Sequence, residues 1–548
     1  MLFLVVLQVT ITEKIIGSKT LLKDVKLWLS DNEKVGFLGR NGTGKTTLFN
    51  IITGQDKDFS GAVTHAKHEI LMATSQEHHD SDGTTIEYVS QKLPDFARLE
   101  NILRTYPNHM GDDLKKIHIY TDALEKFSEY GYYEIENSLE RLFDAYQLDK
   151  SLLTQPFVSL SGGQKRLVEL IAIQLAAPQI ILLDEPTNHM DYLAKDAFIE
   201  WLKTVKSSVL VISHDRDVLN NVDRILELKD QKIFNYPGNY DKYLTQNAVT
   251  TTNAINEFST SEKRIANLRE QINFAKARAA TGGPRWVTLY ERYERELSDI
   301  LDNRKKPSFW IDRESAKTLK PKMTENYQKF RAENIRLHET RTSEITTTLL
   351  SIDKLSLGYN QKPLLNNISF QLSGGERLHI VGRNGVGKTT LVKAITQAWR
   401  GIRPETLIGA GTINCDPSLT ISMYDQEIDS KLLSKTLHDA IQVIYDSKGL
   451  RVNDEQIKKD MANYLFNPAA DKDVLVRNLS GGQKARLQLI RLLVGSPNLL
   501  ILDEPTNHLD LPSIEELENA LNNYSGAIIY ITHDSYFAKN IGGEVLEL

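Results

Sequence analysis

Short, uninterrupted apolar runs recur along the chain, and each is followed by a distinctive polar motif. Residues 35–38 and 378–381 precede glycine-rich segments, whereas residues 180–183 and 499–502 end in an Asp-Glu pair. Apolar runs of this length are typical of strands buried on both faces of a parallel sheet. Near the start, residues 5–11 alternate in the manner of an edge or core strand. The pattern predicts an α/β fold.

Four motifs occur twice, which indicates an internal repeat. The glycine-rich motifs are offset by 343 residues, and the Leu-Ser-Gly-Gly-Gln, Leu-Asp-Glu-Pro-Thr-Asn-His and His-Asp motifs are offset by 319. The offset is 350 at Gln76 and Gln426 and 319 at Ser161 and Ser480, so the first unit carries 31 extra residues between them. Helical spacing and aromatic content predict a helical arm over about residues 84–148; the alternative is a long surface loop.

Length and composition are those of a globular protein of several domains. The chain has 548 residues, of which 41% are hydrophobic and 25% charged, and one cysteine, Cys415. A lone cysteine excludes an intrachain disulfide and fits a reducing compartment. The apolar start is too short to span a bilayer and lacks a signal peptide's flanks. We therefore expect a cytoplasmic protein without a membrane domain.

Each unit contains a phosphate-binding loop between an apolar run and a helical pattern. The first loop supplies Gly39, Asn41, Gly42, Gly44, Lys45, Thr46 and Thr47, and the second supplies Gly382, Asn384, Gly385, Gly387, Lys388, Thr389 and Thr390. Backbone N–H groups of such a loop converge on phosphates, the lysine reaches the β- and γ-phosphates, and the first threonine ligates Mg²⁺. A chance glycine turn is the alternative for either copy alone, but two copies in matched contexts disfavour it.

Acidic residues and histidines follow the later apolar runs of each unit. Asp184 and Asp503 are predicted Mg²⁺ ligands, and Glu185 and Glu504 are placed to polarise an attacking water. His214 and His533 lie 29 residues beyond these glutamates, each after another apolar strand. A lone histidine more often has a structural role, but the matched spacing favours contact with the γ-phosphate. ATP and Mg²⁺ are the predicted cofactors.

The Leu-Ser-Gly-Gly-Gln motif resembles the signature of ATP-binding cassette ATPases. The resemblance implies two ATP molecules sandwiched between head-to-tail cassettes. Lys45 would then work with Ser480, Gly481 and Gly482, and Lys388 with Ser161, Gly162 and Gly163. It also implies that Gln76 and Gln426 sense Mg²⁺.

An aromatic residue usually stacks on adenine in these cassettes. Tyr359 fits that position in the second unit, but Ile16 aligns with it in the first. Isoleucine can pack on a base but cannot stack on it, so we expect the first site to bind ATP more weakly. Both glutamates and both histidines are present, so two hydrolysis-competent sites are expected.

The segment between the cassettes, about residues 239–346, shows two stripes of helical spacing separated by Thr-Gly-Gly-Pro. The two helices could pack antiparallel as a hairpin, and Pro307 would kink the returning helix. Residues 241–350 contain 20 Lys or Arg and 15 Asp or Glu, in a chain whose net charge is −6. Basic and aromatic residues meet near the turn: Lys276, Arg278, Arg285 and Trp286. Such residues suit contacts with RNA. Residues 304–310 are a second candidate for the tip of the hairpin that makes these contacts. The alternative is a solvated hairpin without a partner.

The whole layout resembles the ABC-F proteins: a first cassette over residues 1–238, a hairpin linker over 239–346 and a second cassette over 347–548. The resemblance implies an ATPase that binds the ribosome, with its hairpin reaching toward the peptidyl tRNA and the peptidyl-transferase centre. Ribosomal RNA and peptidyl tRNA are the implied partners, and a monomer with intramolecular cassette pairing is implied. Such a protein regulates translation or displaces antibiotics.

Two other functions stay open at this point. The chain could be the energy subunit of a membrane transporter, which would need a membrane partner but no long basic hairpin. It could also be a DNA-repair ATPase of the same group; that branch often carries a C-terminal coiled coil, whereas the given sequence stops after a predicted cassette strand at Leu548.

Overall fold

The computed structural model describes residues 5–17, 19–65, 69–74, 83–109, 111, 113–188, 190–279, 284–303, 347–359, 362–408, 411–424, 428–464, 466–479, 481–507 and 509–548. The chain divides into two compact units. One unit combines Met1–Tyr240 with Leu337–Leu548 and contains both repeats, and the other is Asp241–Arg336.

The first repeat mixes strands and helices. It begins with β1 (Val5–Ile16), β2 (Lys19–Ser30), β3 (Lys34–Gly39), α1 (Lys45–Ile52), β4 (Ser60–His65) and β5 (Leu71–Ala73). Four helices follow: α2 (Thr85–Lys92), α3 (Phe96–Thr105), α4 (Leu114–Glu129) and α5 (Ile135–Ala145). It ends with α6 (Gly162–Ala176), β6 (Ile180–Asp184), α7 (Tyr192–Thr204), β7 (Ser208–Ile212), α8 (Arg216–Leu219), β8 (Arg224–Lys229) and β9 (Lys232–Pro237).

Two sheets build the core of the first repeat. One is antiparallel, with the order β2-β1-β4, so the first strand is central. The other has the order β5-β6-β7-β3-β8-β9, and its strands are parallel except for β9. Every residue of β6 and β7 is buried, as the apolar runs predict. The carboxyl ends of β3, β6 and β7 therefore meet at one edge, where open α/β sheets bind ligands.

The helices α2 to α5 occupy the stretch in which an arm is predicted. They enclose a small core of their own, in which Leu99, Phe127 and Tyr132 are buried. Phe127 and Tyr132 meet edge to face, with ring centroids 5.3 Å apart. The aromatic residues of this stretch thus hold helices together, and the alternative of a long loop is wrong.

The linker forms two antiparallel helices, α9 (Tyr240–Ala279) and α10 (Pro284–Asn303). Arg264 and Glu296 form a 2.6 Å ion pair between them. Pro284 begins the second helix, where proline is tolerated because the first N–H groups of a helix have no partner within it. The first helix has 40 residues and is about 60 Å long. Pro307, the predicted kink, lies outside the described residues.

The second repeat follows the same plan. It starts with β10 (Thr348–Tyr359), β11 (Lys362–Ser373), β12 (Arg377–Val381), α11 (Lys388–Trp399), β13 (Thr412–Cys415) and β14 (Ile421–Tyr424). Next come α12 (Ser430–Leu433), α13 (Leu437–Ser447), α14 (Asp454–Asn463), α15 (Gly481–Leu493), β15 (Leu499–Asp503), α16 (Leu511–Asn522), β16 (Ala527–Ile531), α17 (Ser535–Ile541) and β17 (Glu544–Glu547).

Among the described residues, the sheets of the second repeat have the strand orders of the first, except that the parallel sheet has five strands and no counterpart of β9. An antiparallel sheet has the order β11-β10-β13, and a parallel sheet has the order β14-β15-β16-β12-β17. The strand before the glycine-rich loop, β12, again pairs with the strand that precedes the histidine, β16. Within the ranges that the structure describes, no helix combines the length and the apolar character that crossing a membrane requires.

Candidate functional site

The two glycine-rich loops have the same local geometry. Gly44 and Gly387 precede helices α1 and α11 with φ of 106° and 117°, which glycine adopts without strain. A Cβ atom at Gly44 would lie 2.9 Å from the Leu21 side chain. Each loop thus leads directly into a helix N-terminus, the backbone arrangement that favours a phosphate.

The loop lysines lie across these loops. Lys45 Nζ donates hydrogen bonds to the carbonyls of Gly39 at 2.6 Å and Arg40 at 3.2 Å. Lys388 Nζ repeats the contacts with Gly382 at 2.6 Å and Arg383 at 3.1 Å. Both ammonium groups are buried, and burial lowers the pKa of each. Each lysine side chain thus lies against the backbone of its own loop.

The predicted Mg²⁺ ligands come together in both repeats. Thr46 Oγ1 lies 3.3 Å from Asp184 Oδ2, and Thr389 Oγ1 lies 3.0 Å from Asp503 Oδ2. The threonine lies in the first turn of the helix after the loop, and the aspartate ends a buried strand of the same sheet. A hydroxyl and a carboxylate oxygen are hard donors of the kind that Mg²⁺ prefers, so these residues fit the ion.

The predicted catalytic glutamates have an unusual backbone. Glu185 and Glu504 have φ of 47° and 46°, in the left-handed region that residues with a side chain rarely occupy. Their N–H groups donate to the carbonyls of Ile212 at 2.8 Å and Ile531 at 3.0 Å, at the end of the next strand. The turn brings each carboxylate beside the predicted histidine: His214 Nε2 is 3.5 Å from Glu185 Oε1, and His533 Nε2 is 3.3 Å from Glu504 Oε1.

Burial sets the protonation of these pairs. It raises the pKa of both glutamates well above the usual range, with the neighbouring Asp184 or Asp503 adding to the rise and the loop lysine opposing it. It also lowers the pKa of both histidines, and the loop lysines add to that effect. A carboxyl whose pKa lies nearer to neutral is a better base toward water than an ordinary exposed glutamate.

Two aspartates that the sequence analysis missed connect the repeats. Asp510 Oδ2 accepts a 3.0 Å hydrogen bond from the Asn41 N–H, and Asp191 Oδ2 accepts a 3.1 Å bond from the Asn384 N–H. Each aspartate also caps its own helix, since Asp191 Oδ1 accepts from Ala194 N–H at 3.0 Å. Their signal was available, because the two aspartates are offset by 319 residues, as the flanking motifs are.

Some predicted groups of both repeats line one cavity of about 660 Å³, although Lys388, Thr389 and Asp503 are not among its lining residues. It is bordered by Lys45, Asp184, Glu185 and His214 of the first repeat and by Asn384, Glu504 and His533 of the second. A second cavity of about 430 Å³ lies between Arg40–Thr43 and two residues of helix α15, Gln483 and Arg486. The helix that follows the second signature thus faces the first loop, as the head-to-tail arrangement requires.

The remaining predicted ATP residues differ in what the structure shows. Ser161 caps helix α6, where its side chain accepts from Gln164 N–H at 3.3 Å, and Gly162 and Gly163 form the first turn. Gly481 and Gly482 begin α15. Contact of these signature residues with ATP stays a prediction. Gln76, Gln426 and Ser480 lie outside the described residues.

The two candidate adenine contacts lie at equivalent strand ends. Tyr359 ends β10 and Ile16 ends β1, and the side chains are 55% and 53% exposed. Tyr359 Oη lies 3.4 Å from Thr390 Oγ1, at the start of the second loop's helix. Ile16 lines the 660 Å³ cavity. Both positions leave a surface open beside a phosphate loop, and only one offers an aromatic ring.

A buried ion pair also joins the repeats. Arg216 Nη1 lies 3.1 Å from Glu518 Oε1, and both side chains are about 5% exposed or less. The residues at the equivalent positions, by the offset of 319, are Ser535 and Ile199, which cannot form such a pair. This part of the interface is therefore not symmetric.

The predicted RNA-contacting residues lie at adjoining ends of the linker helices. Lys276 and Arg278 are in the last turn of α9, and Arg285 and Trp286 are in the first turn of α10. The Arg278 guanidinium lies 4.8 Å from the ring centroid of Phe274 and 5.2 Å from that of Trp286. Phe274 was missed, although its i,i+4 spacing to Arg278 is a signal for such a contact. The competing tip, residues 304–310, lies outside the described residues.

The fold and the crossed contacts define a tandem ATP-binding cassette ATPase. Residues 22–188 and 365–507 match a family described as ABC transporter, and residues 226–283 match a second family with the same description.

Named relatives resemble the chain over most of its length. It is 32% identical over 575 residues to the putative ATP-binding protein YdiF of Bacillus subtilis (strain 168), with 100% of this chain and 80% of YdiF covered. It is 29% identical over 544 residues to ABC transporter F family member 2 of Arabidopsis thaliana, with 96% and 74% covered. The chain belongs to the ABC-F family and is an ATPase.

The fold also matches solved structures. One is the crystal structure of the complex of the archaeal ribosomal stalk protein aP1 and the archaeal ribosome recycling factor aABCE1. It matches with a TM-score of 0.54 and 18% identity, covering 98% of this chain and 87% of that chain. At that identity the likeness concerns the fold alone.

Proposed function

We propose that this ATPase acts on the ribosome in the cytoplasm, as a monomer whose two cassettes close on ATP. The observation that carries the proposal is the linker tip, where the Arg278 guanidinium lies near the rings of both Phe274 and Trp286, and where Lys276 and Arg285 lie in the same helix ends. A guanidinium held on aromatic rings presents charge and flat surfaces together. Such groups suit phosphate contacts and stacking on unpaired bases.

The cassettes supply the reaction that would drive this action. ATP would be held by the loop N–H groups and by Lys45 in the first site or Lys388 in the second. Thr46 with Asp184, and Thr389 with Asp503, would hold Mg²⁺, which neutralises phosphate charge when bound with ATP. Glu185 and Glu504 would orient and polarise the attacking water, with His214 and His533 beside them.

The crossed contacts of Asp191 and Asp510 suggest how the cassettes respond to ATP. Each aspartate ties one cassette's helix to the loop that would hold ATP in the other. ATP binding would therefore favour the paired cassettes, and hydrolysis would release them. Solved structures of similar fold add support: one contains an archaeal ribosome recycling factor, and another is a model of ribosome-bound archaeal Pelota and ABCE1.

A ribosome-binding experiment tests the proposal. The Glu185→Gln, Glu504→Gln protein should bind ATP without turnover, co-sediment with ribosomes and inhibit translation in a cell-free system. Replacing Lys276, Arg278, Arg285 and Trp286 with Ala in that protein should relieve the inhibition. The same four changes in the wild-type chain should leave the ATPase rate of the free protein within twofold.

A matched control changes other basic residues of the same helix. Lys263 and Arg269 are exposed on α9, away from its end. Replacing both with Ala should leave the inhibition in place, because the proposed contact is local to the tip. If the Glu185→Gln, Glu504→Gln protein does not co-sediment with ribosomes, and instead sediments with membranes or binds DNA, the transporter or DNA-repair hypothesis replaces this one.

The proposal covers two finer roles, regulation of translation and protection against ribosome-targeting antibiotics. Cell-free translation with and without such antibiotics separates them. Rescue of inhibited ribosomes by the wild-type chain indicates protection, whereas an effect on translation without antibiotic indicates regulation.

A further inference from the structure

One lysine of the first cassette reaches across the interface to the second hydrolytic centre. Lys195 lies in helix α7 and is 6% exposed. Its Nζ donates a 3.1 Å hydrogen bond to the backbone carbonyl of His533. His533 in turn lies 3.3 Å from the Glu504 carboxylate through its ring nitrogen. A first-cassette side chain thus holds the backbone of a residue at the second site.

The lysine is itself held by carboxylates of its own cassette. Its Nζ lies 3.2 Å from Asp215 Oδ2 and 2.5 Å from Asp217 Oδ2. Burial alone would lower the pKa of Lys195, but the two carboxylates outweigh it and raise the pKa above its usual value. The ammonium is therefore a charged donor with little freedom to move, and a hydrogen bond from a charged group is stronger than a neutral one.

The first site has a different residue at the equivalent position. By the offset of 319, Ile514 is the residue equivalent to Lys195, and Tyr536 is the residue equivalent to Asp217. The aliphatic side chain of Ile514 cannot donate a hydrogen bond to the His214 carbonyl. The histidines have matched contacts with their glutamates, but the equivalence does not extend to the hydrogen bond that Lys195 donates to His533.

We propose that Lys195 is a positioning residue for the second ATP site: it anchors the His533 carbonyl across the interface and so holds the histidine against Glu504. The anchored loop joins β16 to α17 and carries His533 at its middle. A small displacement of such a group changes the rate of the chemical step more than the affinity for ATP, since alignment matters most in the transition state. Closing of the cassettes would thereby complete the second site with a residue from the first cassette.

The inference rests on the proposed roles of Glu504 and His533, and site-resolved kinetics can test both. Phosphate release in the first turnover is measured in the Glu185→Gln protein, which reports the second site, and in the Glu504→Gln protein, which reports the first. Lys195→Met should slow the first-turnover rate constant in the Glu185→Gln background on the order of tenfold. The ATP concentration at half-saturation should change less than twofold there, and the rate in the Glu504→Gln background should also change less than twofold.

Two controls separate positioning from general support of the interface. Ile514→Met, the change at the equivalent position, should leave the first-turnover rate constant within twofold in both backgrounds. Asp217→Asn should do the same, because Lys195 keeps Asp215 and the His533 carbonyl. The combined change Lys195→Met, Asp217→Asn preserves the net charge of the cluster, so this variant can be measured if Lys195→Met alone fails to fold. Its first-turnover rate constant in the Glu185→Gln background should fall as much as that of Lys195→Met.

Three results would overturn the inference. Lys195→Met could slow the first turnover equally in the two backgrounds, or Asp217→Asn alone could slow it as much as Lys195→Met does. Lys195→Met could also change only the ATP concentration at half-saturation and leave the rate constant unchanged. Failure of the proposed catalytic roles has another signature. A first-turnover release that survives in the Glu185→Gln, Glu504→Gln protein shows that neither glutamate is the catalytic group, and the assignment to Lys195 falls with it.

Discussion

The two ATP sites of this chain share their reacting groups almost to the last contact. The threonine–aspartate distances are 3.3 and 3.0 Å, the lysine–carbonyl distances are both 2.6 Å, and the glutamates have φ of 47° and 46°. What differs is the surroundings. Lys195 supports the second site where Ile514 stands for the first, and Tyr359 has Ile16 as its counterpart.

The two repeats thus share the groups of the proposed chemistry and differ in the residues around them. Groups that would contact phosphate, metal or water must keep their geometry for hydrolysis to occur at all. Residues that align the cassettes or contact the base can differ, and such changes alter the rate or affinity of one site. The two sites are thus expected to be equal in mechanism and unequal in performance.

Replacing both glutamates that we propose as catalytic should have the largest effect. Glu185→Gln with Glu504→Gln should lower steady-state ATP turnover about 1,000-fold, within the range expected for loss of general-base catalysis. ATP binding, measured by equilibrium dialysis, should be retained, because the loops and lysines are unchanged. Near-normal turnover in the double variant would show that the shared chemistry lies elsewhere.

The second-largest effect is expected from breaking the Arg216–Glu518 ion pair, which should lower the free energy of unfolding. Arg216→Met leaves Glu518 buried without its 3.1 Å partner, which costs on the order of 3–5 kcal/mol. Calorimetry should show a Tm lowered by several degrees, and adding Glu518→Met should restore part of it, since no unpaired charge then remains. The equivalent change, Ser535→Ala, should shift Tm little, and an equal shift would contradict the asymmetry.

The crossed aspartates should give matched effects on the two sites. Asp191→Ala and Asp510→Ala each remove one hydrogen bond of about 3 Å to the opposite loop. Each should lower ATP turnover by about tenfold, because misplacement of the loop slows the chemical step. Steady-state assays of the two variants should agree within threefold. A much larger loss in one would show that the loops are not held equally.

Replacing the aromatic residue should produce the smallest change. Tyr359→Ala should weaken ATP binding at the second site by about 1 kcal/mol, the value of an aromatic stacking contact. A titration with a fluorescent ATP analogue resolves the effect when the first loop is disabled by Lys45→Ala. Ile16→Ala, measured with Lys388→Ala, should lose less. Equal affinities of the two sites before mutation would contradict the predicted difference.

Much of the site could be predicted because its parts lie in local motifs. A loop between a buried strand and a helix, or an Asp-Glu pair at a strand end, depends on neighbours in sequence, and the repeat shows each twice. The contacts of Lys195 and Arg216 could not be read in this way. They join residues more than 300 positions apart, and the equivalent residues of the other repeat cannot form either contact. Asp191 and Asp510 lie between these cases, since the repeat aligns them but does not reveal what they contact.

The Arg216–Glu518 pair also determines which halves of the protein can associate. Arg216 belongs to the first cassette and Glu518 to the second, and the exchanged positions hold Ile199 and Ser535. Two first halves brought together would each bury an arginine against isoleucine, and two second halves would each bury a glutamate against serine. Loss of the charged partner disfavours both assemblies, although Glu518 would keep its hydrogen bond from Asn540. The pair thus favours association of the first half with the second over association of either half with its own copy.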